Sequence, residues 1–196
     1  MSMEHKAFLF DTKYYHEHLE DIIKKCCKTG NLDTIKTYID KNYQHMFNPY
    51  TGDELDSDWE SEMSSQSMQE LFEFVLTCCY EPDKNIGLEY AWDGVMEAIK
   101  ELGIMKDAEK CVLGKPLTYA GITIDPGLMG LGIVEHTEVS RIKDKLLKNQ
   151  EKLENAQLSE DILYELEQEE LIDAYDDLCM IFRRAEKEGK GILFTF

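Results

Sequence analysis

In residues 88–99, LEYAWDGVMEAI, apolar side chains recur at intervals of three and four positions. Leu88, Ala91, Trp92, Val95 and Ile99 therefore share one face of a predicted helix, and that face belongs in the core. Downstream, the connection 113–132 contains five glycines and two prolines, a density that requires repeated turns and predicts irregular backbone. A second helix is predicted from about residue 137, so two helices flank a glycine-rich connection.

Short motifs in this half of the chain follow one another in a characteristic order. They are Leu-x-x-Ala-Trp-Asp-Gly at 88–94, Leu-Gly-x-Pro-Leu at 113–117, Gly-x-Gly at 130–132 and Thr-Glu-Val-x-x-Ile at 137–142. Together with a last helix and an apolar final strand, this order resembles the YfbM-like family of small bacterial proteins of unknown function. The resemblance covers about Leu88 to Phe196, and the preceding residues look unlike the family's usual opening. It implies a fold, and it implies no activity or cofactor.

The rest of the chain reads as helices between two terminal strands. Residues 6–10 and 192–196 are apolar runs bounded by turn residues, which predicts strands. A capping box, Ser67-x-x-Glu70, predicts a buried helix, and Ser159 is the expected N-cap of a helix that runs to Gly189. The final strand must find a partner for its backbone groups, and the amino-terminal strand is the most economical neighbour.

The predicted fold is therefore α+β, mostly helical, with a small sheet that pairs the N- and C-terminal strands. We expect one domain over residues 1–196, with a helical part (1–87) that carries an acidic loop and a YfbM-like part (88–196). The chain has no run of 18 apolar residues, and its first residues do not resemble a secretion signal. We therefore predict a cytoplasmic protein that does not enter a membrane.

The net charge of −19 is concentrated in two tracts. Residues 51–83 hold ten acids and no lysine or arginine, and residues 151–177 hold eleven acids and one lysine, which leaves +1 for the rest. Nucleic acid is not an expected ligand, because phosphate binding needs clustered lysine and arginine. A basic protein is the natural complement, although solvated acidic faces that serve only solubility would give the same composition.

Motifs for chemistry are scarce in this sequence. Phosphate-binding, dinucleotide-binding and Gly-x-Ser-x-Gly signatures are absent, and the six cysteines lack a Cys-x-x-Cys spacing, so no cofactor or metal is expected. The histidines are interpreted as solvated or structural. Two weaker catalytic interpretations remain: Asp173 with Asp177 on one helix face, and Cys111 as a nucleophile if His136 approaches it.

Two functional hypotheses follow. The favoured one is a non-catalytic acidic interaction protein, specifically a bacterial immunity protein that neutralises a basic toxin domain. Its predicted interface is Asp53, Glu54, Asp56, Asp58, Glu60 and Glu62. The alternative is a small-molecule-binding protein or enzyme with a pocket near the connection 113–132, formed by Trp92, Tyr119 and Asp125. An exposed acidic face would favour the first hypothesis, and a concave pocket with convergent polar groups would favour the second. No oligomeric state is predicted.

Overall fold

The computed structural model describes residues 3–158 and 162–196. The strands are β1 (Lys6–Phe10), β2 (Lys115–Pro116), β3 (Thr118–Tyr119), β4 (Ile122–Thr123), β5 (Leu131–Val134) and β6 (Gly191–Thr195). The α-helices are α1 (Thr12–Tyr14), α2 (Glu20–Thr29), α3 (Asp33–Asn42), α4 (Met68–Leu76), α5 (Trp92–Glu101), α6 (Ala108–Val112), α7 (His136–Lys148) and α8 (Gln168–Glu188). A π-helical segment, Tyr15–Leu19, joins α1 to α2.

A four-stranded antiparallel sheet with the order β1-β6-β5-β2 lies at the centre of the molecule. Strand β1 pairs with β6, and Ala7 stands opposite Phe194. On the other side of β6, Ile133 of β5 stands opposite Leu193. The terminal strands are therefore partners, which confirms the predicted mostly helical α+β fold with its small sheet.

Both faces of the sheet are buried. Alternation along β6 directs Ile192 and Phe194 to one face, where they meet buried residues of α5, α6, α7 and α8. Leu193 points to the other face, with Phe8 and Phe10 and with buried residues of α2, α3 and α4. Helices from residues 1–87 thus cover one face and helices from residues 88–196 cover the other, which explains why the final strand is continuously apolar.

The helix predicted from Leu88 begins instead at Trp92. The two backbone hydrogen bonds between His5 and Glu89 extend the edge of the sheet, with N–O distances of 2.7 and 3.1 Å. Glu89 takes a left-handed conformation with φ of 50°. A side chain at Gly87 would meet the His5 carbonyl oxygen at 2.2 Å from its Cβ. This strand-like pairing with a distant segment overrides the helical pattern for four residues.

The last long helix also begins later than predicted. Its N-terminus is a capping box formed by Glu167 and Glu170, and its first residue is Gln168. Residues 162–167 before it are bends and irregular backbone. Ser159, the predicted N-cap, lies outside the described residues. Within the described ranges, no helix is both long enough and apolar enough to cross a membrane.

The glycine-rich connection is more regular than its composition predicts, because it contains β2, the hairpin of β3 and β4, and β5. Strands β2 and β5 pair through backbones that approach very closely. A Cβ atom on Gly132 would lie 2.2 Å from the carbonyl oxygen of Leu113, and Gly114 has φ of 73°. Glycine is therefore needed here for two reasons: it allows the two strands to approach closely, and it allows the backbone to turn.

Candidate functional site

All six predicted interface residues lie on one segment between α3 and α4, residues 46–66, which we call the acidic loop. Their carboxylate side chains are exposed, except for that of Glu62, which is half-buried. Three apolar side chains of the same loop, Leu55, Trp59 and Met63, are buried in the core below β1. The acidic loop is thus packed onto the core through these three side chains, while its acidic side chains are exposed to solvent.

A buried asparagine organises the first half of the acidic loop. The Asn48 side-chain oxygen accepts hydrogen bonds from the backbone of Tyr50 and Thr51, at 2.9 and 3.2 Å. Its amide group donates to Glu62 at 2.9 Å. Backbone pairing of Met46 with Leu55 closes this half of the loop, at an N–O distance of 3.0 Å. The turn is therefore fixed by buried polar contacts.

A buried carboxylate organises the second half. Glu70 accepts hydrogen bonds from the backbone N–H and hydroxyl groups of both Ser64 and Ser65, and from the Gln66 backbone, at 2.6 to 2.9 Å. Burial opposes its ionisation, but these donors lower the pKa of Glu70 to about 2. The predicted capping box is half formed: Ser67 accepts from the Glu70 backbone, while the Glu70 side chain holds the preceding turn.

Cationic partners are almost absent from the acidic loop. Asp53, Glu54 and Asp58 form no ion pair within the described ranges. Glu60 lies 3.4 Å from the Lys36 ammonium group, a long and exposed contact. The described part of the second acidic tract, residues 151–158 and 162–177, is anchored in the opposite layer through Leu153 and Leu171 among others. The two tracts therefore belong to different faces of the sheet.

The alternative hypothesis places a pocket near the glycine-rich connection, and a cleft of about 750 Å³ does lie there. Of the three residues proposed for the pocket, Tyr119 lines this cleft. Trp92 does not, because its indole N–H donates to the Met3 carbonyl oxygen at 3.1 Å and its ring packs on Phe196. Asp125 does not either: it accepts from the Gly130 backbone at 2.6 Å and so holds a turn.

His16, on the π-helical segment, is the centre of the cleft's polar network. One ring nitrogen lies 3.0 Å from Glu20 and the other lies 3.1 Å from Glu135, which precedes α7. Burial disfavours the charged imidazolium, but hydrogen bonds to both carboxylates raise the pKa of His16 above its ordinary value. The spacing of His16 and Glu20 is visible in the sequence, whereas the contact with Glu135, 119 positions away, is not.

Two tyrosines extend this network. Tyr119 donates its hydroxyl hydrogen to Glu20 at 3.0 Å and accepts one from Tyr15 at 2.8 Å. Lys110 pairs with Glu138 at the other side of the cleft. Within the described residues, Lys115 is the only charged group of the cleft without such an ion pair or side-chain hydrogen bond. Most polar side chains of the cleft are therefore already paired with one another through hydrogen bonds or ion pairs.

The structure does not bring the residues of the two weaker catalytic interpretations, Cys111 with His136 and Asp173 with Asp177, into a catalytic arrangement. Cys111 is buried, its thiol donates to the Ala108 carbonyl oxygen, and burial raises its pKa to about 12. His136 contacts the Thr12 hydroxyl at 2.7 Å instead. Burial, with the charges of Asp173 and Asp176, raises the pKa of Asp177. Among the described residues, neither Asp173 nor Asp177 has a side-chain hydrogen bond or ion pair that would complete a catalytic set. Likewise, no set of three potential metal ligands converges among the residues described.

Comparisons of the chain with models of protein families, with curated proteins and with solved structures found no match. The resemblance to the YfbM-like family stays a prediction, as does the cytoplasmic location.

Proposed function

We propose that this protein is a non-catalytic interaction protein whose acidic loop binds a basic partner protein, in the manner of a bacterial immunity protein that neutralises a toxin domain. One observation carries the proposal: the acidic loop is held by buried side chains while its carboxylates remain exposed and largely without cationic partners. An ordered loop loses little conformational freedom on binding, so more of the interaction energy appears as affinity.

Electrostatics supports the same function. The active sites of toxins that act on nucleic acid or nucleotides are often basic, and the exposed carboxylates of an anchored loop complement such a surface. Complementary charge accelerates association and makes it sensitive to salt. Membership in the YfbM-like family and a cytoplasmic location belong to this proposal. A toxin that acts on nucleic acid or nucleotides has its target inside the cell, so the proposed immunity protein would meet it there.

The test is affinity capture from the source bacterium at low salt and at about 0.5 M salt, where exposed charge pairs are largely screened. We expect a basic protein that is retained only at low salt. Changing Asp53, Glu54, Asp56 and Asp58 to their amides should weaken the complex about 100-fold, since each exposed pair contributes about 0.7 kcal/mol. Co-expression of the wild type, and not of this variant, should rescue cells from the captured protein.

The matched control changes Glu151, Glu154, Glu169 and Asp173 to their amides. These four acids are also exposed, and they belong to the opposite layer. The control removes the same total charge, so it should retain the partner within a factor of about three if the loop is the interface. Equal losses in the two variants, or capture that persists at high salt, would refute a specific role for the acidic loop.

The cleft supports a second candidate function, the binding of a small polar molecule. The observation behind it is the convergence of His16, Glu20, Glu135 and Tyr119 on one concave surface. We expect an NMR titration to give His16 a pKa above 6.5, with a decrease in Glu135→Gln. Glu138→Gln is the control, because it removes a cleft carboxylate that bonds Lys110 rather than His16.

The same NMR signals can report a ligand. A mixture of small polar metabolites that shifts the His16 ring resonances, with loss of the effect in Tyr119→Phe, would support the second candidate. His16 with an ordinary pKa, or with equal values in the two glutamine variants, would contradict the network as described.

A further inference from the structure

A second concave surface, which we call the aromatic groove, borders the acidic loop. It has a volume of about 370 Å³, and its lining includes Phe8 of β1, Tyr50 of the acidic loop, Glu73 of α4, and Tyr80. Three of the chain's four prolines, at positions 49, 82 and 126, also line it. Each proline fixes its own φ angle, which limits the backbone conformations available at these three positions of the lining.

The rings and the carboxylate of the groove are arranged together. The ring centroids of Phe8 and Tyr80 lie 4.9 Å apart. The Tyr50 hydroxyl donates to a Glu73 carboxylate oxygen at 2.6 Å. Glu73 has no cationic partner among the described residues, and burial raises its pKa despite the Tyr50 hydrogen bond. The groove thus brings aromatic side chains and a carboxylate without a cationic partner to the same place.

Exposed apolar side chains mark the rim. Tyr50 and Leu128 are 64% and 88% exposed, the highest values among the large apolar side chains that the structure describes. Leu128 stands between two lining residues, Gly127 and Met129, and has φ of 56°. A left-handed backbone conformation is uncommon for leucine and costs free energy, and such residues cluster at ligand-binding sites.

We propose that the aromatic groove receives a lysine or arginine side chain of the basic partner, with the cation between Glu73 and the tyrosine rings. This inference rests on the proposed function and names a contact within it. A cation near aromatic faces and a carboxylate gains both cation–π and charge-assisted hydrogen-bond energy. The exposed Tyr50, at the junction with the acidic loop, has the character of an interface hot spot.

One lining residue opposes a cationic occupant. Lys6 of β1 contributes to the groove and forms no ion pair within the described ranges. Its ammonium group repels an incoming cation, so the proposal predicts opposite effects for two neutralising changes. Removing the Glu73 charge should weaken binding, and removing the Lys6 charge should strengthen it. A merely apolar groove would show neither effect.

The experiment is an NMR titration of the full chain, with labelled aromatic rings, against N-acetyl-lysine methylamide up to about 50 mM. We expect shifts at the rings of Tyr50, Tyr80 and Phe8, with affinity in the millimolar range. The uncharged norleucine analogue should bind about tenfold more weakly. Glu73→Gln should lose about tenfold, and Lys6→Gln should gain about threefold.

Asp58→Asn is the matched control, since it removes one charge from the acidic loop outside the groove. It should change probe affinity by less than about twofold. Equal binding of the norleucine analogue, equal losses in Asp58→Asn and Glu73→Gln, or no ring shifts at the highest concentration would each overturn the groove proposal. Partner capture that still depends on the acidic loop would then leave the proposed function standing, so the two failures are distinguishable.

Discussion

Acidification from pH 7 to pH 4 is expected to lower the free energy of unfolding by about 3 kcal/mol through His5 alone. The His5 ring is fully buried. Its Nε2 donates to the Val112 carbonyl oxygen at 2.7 Å, and its Nδ1 accepts from the Leu88 backbone at 3.1 Å. A carbonyl only accepts and an amide only donates, so these contacts require the neutral imidazole.

Burial is the dominant cause of the shift, and it lowers the pKa of His5 to about 4, against an ordinary value of 6.5. The unfolded chain therefore takes up a proton below pH 6.5 while the folded chain resists it. The stabilising contribution is complete above 6.5 and is lost as the pH falls toward 4. His16 acts in the opposite direction, because its raised pKa gives a contribution that is lost as the pH rises.

Denaturant unfolding at several pH values between about 4 and 7 measures the effect. His5→Gln should be less stable at neutral pH, but its stability should depend on pH less than that of the wild type by about 3 kcal/mol. Direct NMR titration of His5 gives a second test that needs no variant. A His5 pKa near 6.5, or an unchanged pH slope in His5→Gln, would contradict this account.

The fold could be predicted where the decisive pattern is local. The runs at 6–10 and 192–196 are each apolar and bounded by turn residues, and a terminal strand has few possible partners. The helix expected from Leu88 shows the limit of this reasoning. Its spacing is helical, but the backbone of Glu89 pairs with His5, which lies 84 positions earlier in the chain. The periodicity of a segment carries no information about backbone pairing with a distant segment, such as the pairing of Glu89 with His5.

The candidate sites were likewise predictable only where their residues are close together in the sequence. The acidic loop was predictable because its six acids are neighbours in the sequence. Tyr119 lines the cleft, whereas Trp92 and Asp125 lie outside it because each side chain bonds to a backbone group elsewhere. The aromatic groove was missed, since Phe8, Tyr50 and Glu73 come from three separate elements and share no sequence pattern.

Glu70→Ala is expected to lower the free energy of unfolding by about 3 kcal/mol at neutral pH. The change removes the acceptor of five hydrogen bonds and leaves the backbone N–H groups of residues 64–66 without a partner. Because those donors lower the pKa of Glu70 to about 2, its contribution is complete above the ordinary value of 4.5 and is lost as the pH falls toward 2. The difference between variant and wild type should therefore shrink over that interval, as denaturant unfolding would show.

Two controls separate the mechanism from a general surface effect. Glu169→Ala removes an exposed acid at the start of α8 and should change stability by less than about 0.5 kcal/mol. Glu70→Gln keeps the size of the side chain but replaces one acceptor oxygen with a donor, so it should fall between the alanine variant and the wild type. A Glu70→Ala effect as small as that of Glu169→Ala would contradict the proposed anchoring.

Glu70→Ala is expected to weaken partner binding as well as to destabilise the fold. Glu70 lies outside the predicted interface, yet it fixes the turn that follows the exposed acids of the acidic loop. If affinity depends on a preorganised loop, Glu70→Ala should weaken partner capture even at temperatures where the protein is fully folded, because binding must then order the turn again. Its dissociation rate should rise while the salt dependence of association stays unchanged, since the exposed charges are still present. An unchanged dissociation rate in the destabilised Glu70→Ala variant would contradict this expectation. It would show that the loop acts through its charges alone and that a fixed loop conformation does not contribute to affinity.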